Sequence, residues 1–137
     1  MVDYLSKEIV IDMNRMLTKD YGQPHVILAE ANLEHTLEAM KNYGENIKSQ
    51  KEKVLTKAAF FLYHLAYTDH VFIDGNKRTA FIGTIVFIAQ NSTELVIEKS
   101  RIEETTRMIK EVAEGKHTIS YIRRWLETIY GKKMRLG

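Results

Sequence analysis

A single proline, Pro24, and only seven glycines stand among 137 residues, so little in this chain forbids long helices. Proline removes a backbone donor and clashes with the preceding turn, and interior glycine costs about 1 kcal/mol relative to alanine. Between these few breakers, apolar residues return every three or four positions, the period of a helix with one buried face. Ser6 caps a first predicted helix that runs to about Asp20, with Ile9, Met13, Met16 and Leu17 as its inward face. Tyr21-Gly22-Gln23-Pro24 ends it. A second helix is expected from about Ala29 to Tyr43 through Leu33, Leu37 and Met40, and the polar stretch Gly44 to Lys53 reads as a solvated loop.

The third helix is the clearest. Val54, Ala58, Phe61, Leu62 and Leu65 hold the helical spacing, and Phe60 and Tyr63 widen the apolar face, which predicts a helix buried at the centre and ending near Tyr67. The loop Thr68 to Gly75 follows, and a fourth helix is expected from Asn76 to about Gln90 through Ala80, Phe81, Val86 and Phe87. Glu94 to Glu98 has the composition of one short strand, but one strand makes no sheet. Ser100-Arg101-Ile102-Glu103 reads as a capping box opening a fifth helix, with a stop at Gly115. Thr118 caps a sixth, with Ile119, Ile122, Leu126 and Ile129 facing inward and Gly131 at its end; the tail after it is expected to fray. The reading is an all-α single domain, residues 1–137, of about six helices.

Composition narrows the function. Twenty basic against eighteen acidic residues leave a net charge of +2, too small for general binding to nucleic acid. Cysteine is absent, which excludes disulfides, thiolate metal sites and cysteine nucleophiles, and suits a reducing cytoplasm. No apolar run is long enough for a membrane span, and the N-terminus lacks the apolar core of a signal peptide. A protein of the cytoplasm, with no membrane and no direct nucleic-acid partner, is expected.

The chemistry concentrates in His70-Val71-Phe72-Ile73-Asp74-Gly75-Asn76-Lys77-Arg78-Thr79, a loop that runs into the start of the fourth helix. Backbone N–H groups in the first turn of a helix lack partners within it, and the aligned peptide dipoles add positive charge there. Gly75 and Asn76 permit a tight turn that aims these donors at an anion, and Lys77 and Arg78 add two full charges. Cations at this end stand against the dipole, which points to a bound anion such as phosphate. Asp74 offers a hard oxygen suited to magnesium, and His70 can take a proton from a hydroxyl near neutral pH. Together these are the parts of phosphoryl or nucleotidyl transfer.

Each residue alone has a plainer use. A lone histidine near core helices is usually structural, Asp-Gly-Asn is an ordinary turn, and Phe72 is a hydrophobic anchor for the loop. The Walker phosphate loop requires glycine before its lysine, where Asn76 stands, and the protein-kinase motifs are missing. His64 and His70 are spaced wrongly for one helical zinc face, and His25, His35 and His117 receive no role.

The loop resembles the Fic/Doc family motif H-x-F-x-(D/E)-x-N-(G/K)-R, with His70, Phe72, Asp74, Asn76 and Arg78 in register. Length and helix order are similar to the short death-on-curing (Doc) branch. The AMP-transferring Fic pattern is HPFxxGNGRxxR; here Val71 replaces its proline, Lys77 its second glycine and Phe81 its final arginine. Doc-like members share these departures, which implies a reversed ATP pose and transfer of the γ-phosphate. The resemblance makes His70 the catalytic base, Asp74 the holder of Mg²⁺ or orienter of the base, and Gly75, Asn76, Lys77 and Arg78 the binders of the ATP phosphates. It implies a protein target, typically a threonine on a translation elongation factor such as Tu, paired with a flap expected at Tyr43 to Lys51. The family's inhibitory pattern (S/T)xxxE(G/N) is not completed, because Lys41 and Lys110 stand where Ser or Thr is required. A separate antitoxin partner is therefore expected. The alternatives are AMP or other nucleotidyl transfer by the same loop and a helical nucleotide- or protein-binding module without catalysis.

Overall fold

The computed structural model describes residues 1–91 and 101–131. Helix α1 spans Lys7–Asp20 and begins where the Ser6 hydroxyl accepts the Ile9 N–H at 3.2 Å. Its inward face differs from the expected one. Val10, Asn14 and Thr18 are buried, whereas Ile9 and Met16 are 42% and 68% exposed. Counting apolar residues missed this because Asn14 and Thr18 enter the interior with hydrogen-bond partners, which removes the penalty for burying them.

Helix α2, Glu30–Asn42, buries Leu33, Thr36 and Met40. Helix α3, Gln50–Tyr63, starts earlier than the polar stretch suggested, because the Ser49 hydroxyl accepts the Glu52 N–H at 3.3 Å and caps it. The expected loop Gly44–Lys53 is thus helical from Gln50 onward. Helix α3 packs against α2, α4, α5 and α6, with Phe61 and Leu62 fully enclosed. Lys57 is also fully buried there; its Nζ donates to the carbonyls of Met40 and Lys41 at 3.0 Å each, at the negative end of α2. After Tyr63 the chain widens into a π-helical turn, His64–Thr68, before the motif loop.

Helix α4 spans Asn76–Asn91, α5 Ile102–Ala113 and α6 Ile119–Leu126, the last extended by a π-helical turn Glu127–Gly131. The Thr118 hydroxyl caps α6 by accepting the Tyr121 N–H at 3.1 Å, and Ile122, Leu126 and Ile129 are buried. The strand suggested at Glu94–Glu98, the Ser100 half of the capping box and the tail after Gly131 lie outside the described residues. Among the described residues the fold is all-α with six helices. Its β-type pairing among the described residues is one antiparallel bridge, Ile27 with Phe72. No described helix is long and apolar enough to cross a membrane.

Helices α3 and α4 approach closely at Gly83, where an added Cβ would lie 2.8 and 2.9 Å from the buried Phe61 ring. Alanine would gain about 1 kcal/mol in helix propensity but force overpacking that costs about 1–3 kcal/mol. Gly83→Ala is expected to lower the unfolding free energy by ~1 kcal/mol in urea titration; a rise in stability would show that this contact relaxes freely.

Candidate active site

The motif loop has little regular structure of its own and is held by groups from elsewhere. Asp69, just before it, is 8% exposed; its Oδ2 accepts the Thr36 hydroxyl at 2.6 Å and its Oδ1 the Thr68 hydroxyl at 3.0 Å. Its carbonyl accepts from the Asn32 side chain at 2.8 Å. On the other side of His70, the Val71 carbonyl accepts the Leu28 and Ala29 N–H groups at 2.7 and 3.1 Å, and the Ile73 N–H donates to the Val26 carbonyl at 3.0 Å. His70 stands exposed between these two pinned neighbours with φ +47°. A left-handed conformation in a residue other than glycine costs about 1–3 kcal/mol and survives only where its surroundings determine it. Here they do.

Phe72 is 2% exposed and anchors the loop in the core. Asn76 clamps the same residue from both sides: Oδ1 accepts the Phe72 N–H at 3.1 Å and Nδ2 donates to the Phe72 carbonyl at 2.7 Å. The Asn76 side chain is therefore engaged in the loop, and its free contribution to an anion is the backbone N–H. Gly75 turns the chain at φ +78°, and a Cβ there would lie 3.0 Å from Asn14 Nδ2 and 3.1 Å from Thr18 Cγ2. Its carbonyl accepts the Thr79 N–H at 2.9 Å, the first bond of α4. The backbone N–H groups of Asn76, Lys77 and Arg78 are then the unpaired donors of the first turn.

Arg78 and Lys77 face a cavity of about 490 Å³ between the start of α4 and the face of α5. Arg78 is fixed at its mouth: the guanidinium carbon lies 3.7 Å from the centre of the Tyr21 ring, and Nη1 donates to Gln23 Oε1 at 3.2 Å. Phe81 and Ile109 give the wall an apolar part, and Lys110 adds a third cation; among the described residues no acid lines it. Thr105, on the same wall, has a buried hydroxyl without a partner among the described residues. His70 is outside this wall, at the opposite end of the loop.

Asp74 is half-buried, and its carboxylate has no hydrogen bond or ion pair among the described residues, whereas its carbonyl is taken by Asn14. Magnesium binds through one or two carboxylates together with substrate phosphates and water, so a free carboxylate beside the start of α4 fits it. No three His, Asp or Glu side chains converge among the described residues, so a cage made wholly of protein ligands is not present there.

Two expectations need correction. The flap expected at Tyr43 to Lys51 does not accompany the loop. That segment is turned onto α3, with the Tyr43 ring 4.5 Å from that of Phe60 and Glu45 paired to Lys53 and Lys57 at 3.5 Å each. The extended chain beside the motif is Val26–Leu28, set there by the Val71 and Ile73 bonds. His25, given no role from the sequence, lies 2.8 Å from Asn14 Oδ1 through Nδ1 and packs near Phe72. Asn14, Asp69 and His25 were not legible as site residues, because their partners lie 60, 33 and 11 positions away and no spacing rule joins them.

A helical scaffold that presents an imidazole and an anion-seeking helix start on one pinned loop defines a class of group-transfer sites. Residues 4–88 match the family model described as Fic/DOC family, and the chain belongs to that family. Its members are generally transferases that act on proteins and typically use ATP with Mg²⁺. The matched span holds α1, the motif loop and most of α4, while the α5 wall of the cavity lies beyond it. No curated protein matches the chain.

Two measurements check this geometry. Asn76→Ala leaves both Phe72 backbone groups unpaired and is expected to cost about 1–3 kcal/mol of stability; an unchanged urea midpoint would remove the clamp. Burial pushes the His64 imidazole below its ordinary 6.5, His35 adds to that, and the Asp69 carboxylate opposes it. The neutral ring is thus favoured in the folded state, so its stabilisation is complete above the unfolded value and is lost as pH falls through the lowered folded one. Stability should fall more steeply with acid in the wild type than in His64→Gln, and coincident slopes would contradict the assignment.

Proposed function

We propose that this chain is a Doc-like protein kinase, which transfers the γ-phosphate of ATP to a Ser or Thr hydroxyl of a protein target. The observation that carries the reading is the start of α4. Three unpaired backbone donors, Lys77 and Arg78 converge there beside a cavity whose charged lining groups, among the described residues, are all cationic. The phosphates occupy the helix start and the rest of the nucleotide the adjoining cavity, against Tyr21, Phe81 and Ile109. His70 takes the proton as the target oxygen attacks the γ-phosphorus; the bond to the β–γ bridging oxygen breaks and ADP leaves. Asp74 would hold Mg²⁺, which when bound neutralises phosphate charge.

Lys77 and Phe81 favour this reaction over AMP transfer, since the lysine fills the place of a glycine and the aromatic ring replaces a phosphate-binding arginine of the Fic pattern. The target enters beside Val26–Leu28. In an antiparallel pair alternate residues bond to one neighbour, so Ile27 turns its N–H and C=O to the side away from the motif loop, where no described backbone group bonds them. Val26, Leu28 and Ile73 are 42%, 60% and 49% exposed around that edge, beside the His70 loop. An extended segment of a translation elongation factor is the proposed occupant, and a separate antitoxin in the cytoplasm the proposed restraint.

The test is incubation of a cell extract with ATP labelled at the α or the γ position. Label reaching a protein from the γ position alone, and falling at least about 100-fold with His70→Ala, is expected. Label from the α position alone would replace the kinase by a nucleotidyl transferase. No label from either, with purified chain still binding ATP, would leave a binding module.

A further inference from the structure

We infer that Asn14, oriented by His25, is the positioning residue of the phosphate-binding turn; the functional part of this inference rests on the reading above. Asn14 is fully buried on α1, and its side-chain amide is used completely. Nδ2 donates to the Asp74 carbonyl at 2.8 Å and to Thr79 Oγ1 at 3.1 Å. A carbonyl can only accept, so the amide cannot be turned the other way round, and Oδ1 must face His25 Nδ1 at 2.8 Å. The proton therefore sits on Nδ1 of His25.

The two bonds from Nδ2 span the turn. One holds the residue before Gly75 and the other holds Thr79, whose N–H closes the first turn of α4 on the Gly75 carbonyl. Gly75 lies between them, where a Cβ would press on Asn14 Nδ2 at 3.0 Å. Asn14 thus fixes the direction in which the N–H groups of Asn76, Lys77 and Arg78 point. The chain just after α1 supplies Tyr21 and Gln23, which fix the Arg78 guanidinium. One helix and its exit thereby set both the backbone and the side-chain parts of the cradle. Neither Asn14 nor His25 lines the cavity, so their effect passes through the turn.

Three measurements test this on the intact chain. First, the ¹⁵N spectrum of the wild-type His25 ring should show the Nδ1–H form when neutral, and the Nε2–H form would overturn the inference. Second, His25→Ala should weaken Mg-ATP binding about tenfold by calorimetry. His25→Asn, whose amide nitrogen can stand where Nδ1 was, should restore it to within about twofold, whereas His25→Gln should not. Third, the amide of Thr79 should exchange faster in His25→Ala and regain protection in His25→Asn. If the wild type binds ATP and all three variants bind it equally, the positioning role is wrong. If the wild type binds no ATP, the nucleotide reading fails, while the ring form and the Thr79 exchange still decide whether Asn14 sets the turn.

Discussion

The loop from Asp69 to Asn76 depends on hydrogen bonds to parts of the chain that are remote in sequence. Asn32 and Thr36 on α2 hold its beginning, Val26 to Ala29 hold its middle, and Asn14 on α1 holds its end. The segment between α3 and α4 is too short and irregular to define its own shape. Fixing a residue costs about 1–2 kcal/mol of backbone entropy, and each net hydrogen bond returns about 1 kcal/mol, so a handful of external bonds is what keeps such a loop in one conformation. The left-handed His70 follows, because its neighbours on both sides are already committed.

This dependence explains the architecture around the loop. Helix α3 supplies the rigid axis, with Phe61 and Leu62 enclosed and the buried Lys57 tying it to the end of α2. The π-helical turn at His64–Thr68 leads into Asp69, whose carboxylate is held by Thr36 on α2. Helix α4 then follows the left-handed turn at Gly75, and close passage at Gly83 lets it lie against α3.

Much of this was legible in the sequence because it is local. Ser6 and Thr118 cap where a short hydroxyl precedes an apolar period, and α3 was visible from spacing alone. The chemistry-bearing loop was visible from its residue types, and its glycine from the turn it must make. What could not be read is the part that joins distant segments. The α1 face was misassigned because Asn14 and Thr18 look like surface residues until their partners are known. The position of the extended segment was misassigned for the same reason: Val26–Leu28 contains no turn or strand signal beyond three apolar residues in a row. Long-range polar pairing leaves no periodic trace.

The cavity beside α4 has a thermodynamic consequence. Among the described residues the charged groups on its lining are Lys77, Arg78 and Lys110, and the first two stand in the opening turn of α4, at the positive end of its dipole. Cations gathered beside a helix start suit an anion as occupant. A ligand that binds the folded chain and not the unfolded one stabilises it, so an anion held in this corner would raise the temperature at which the whole fold melts.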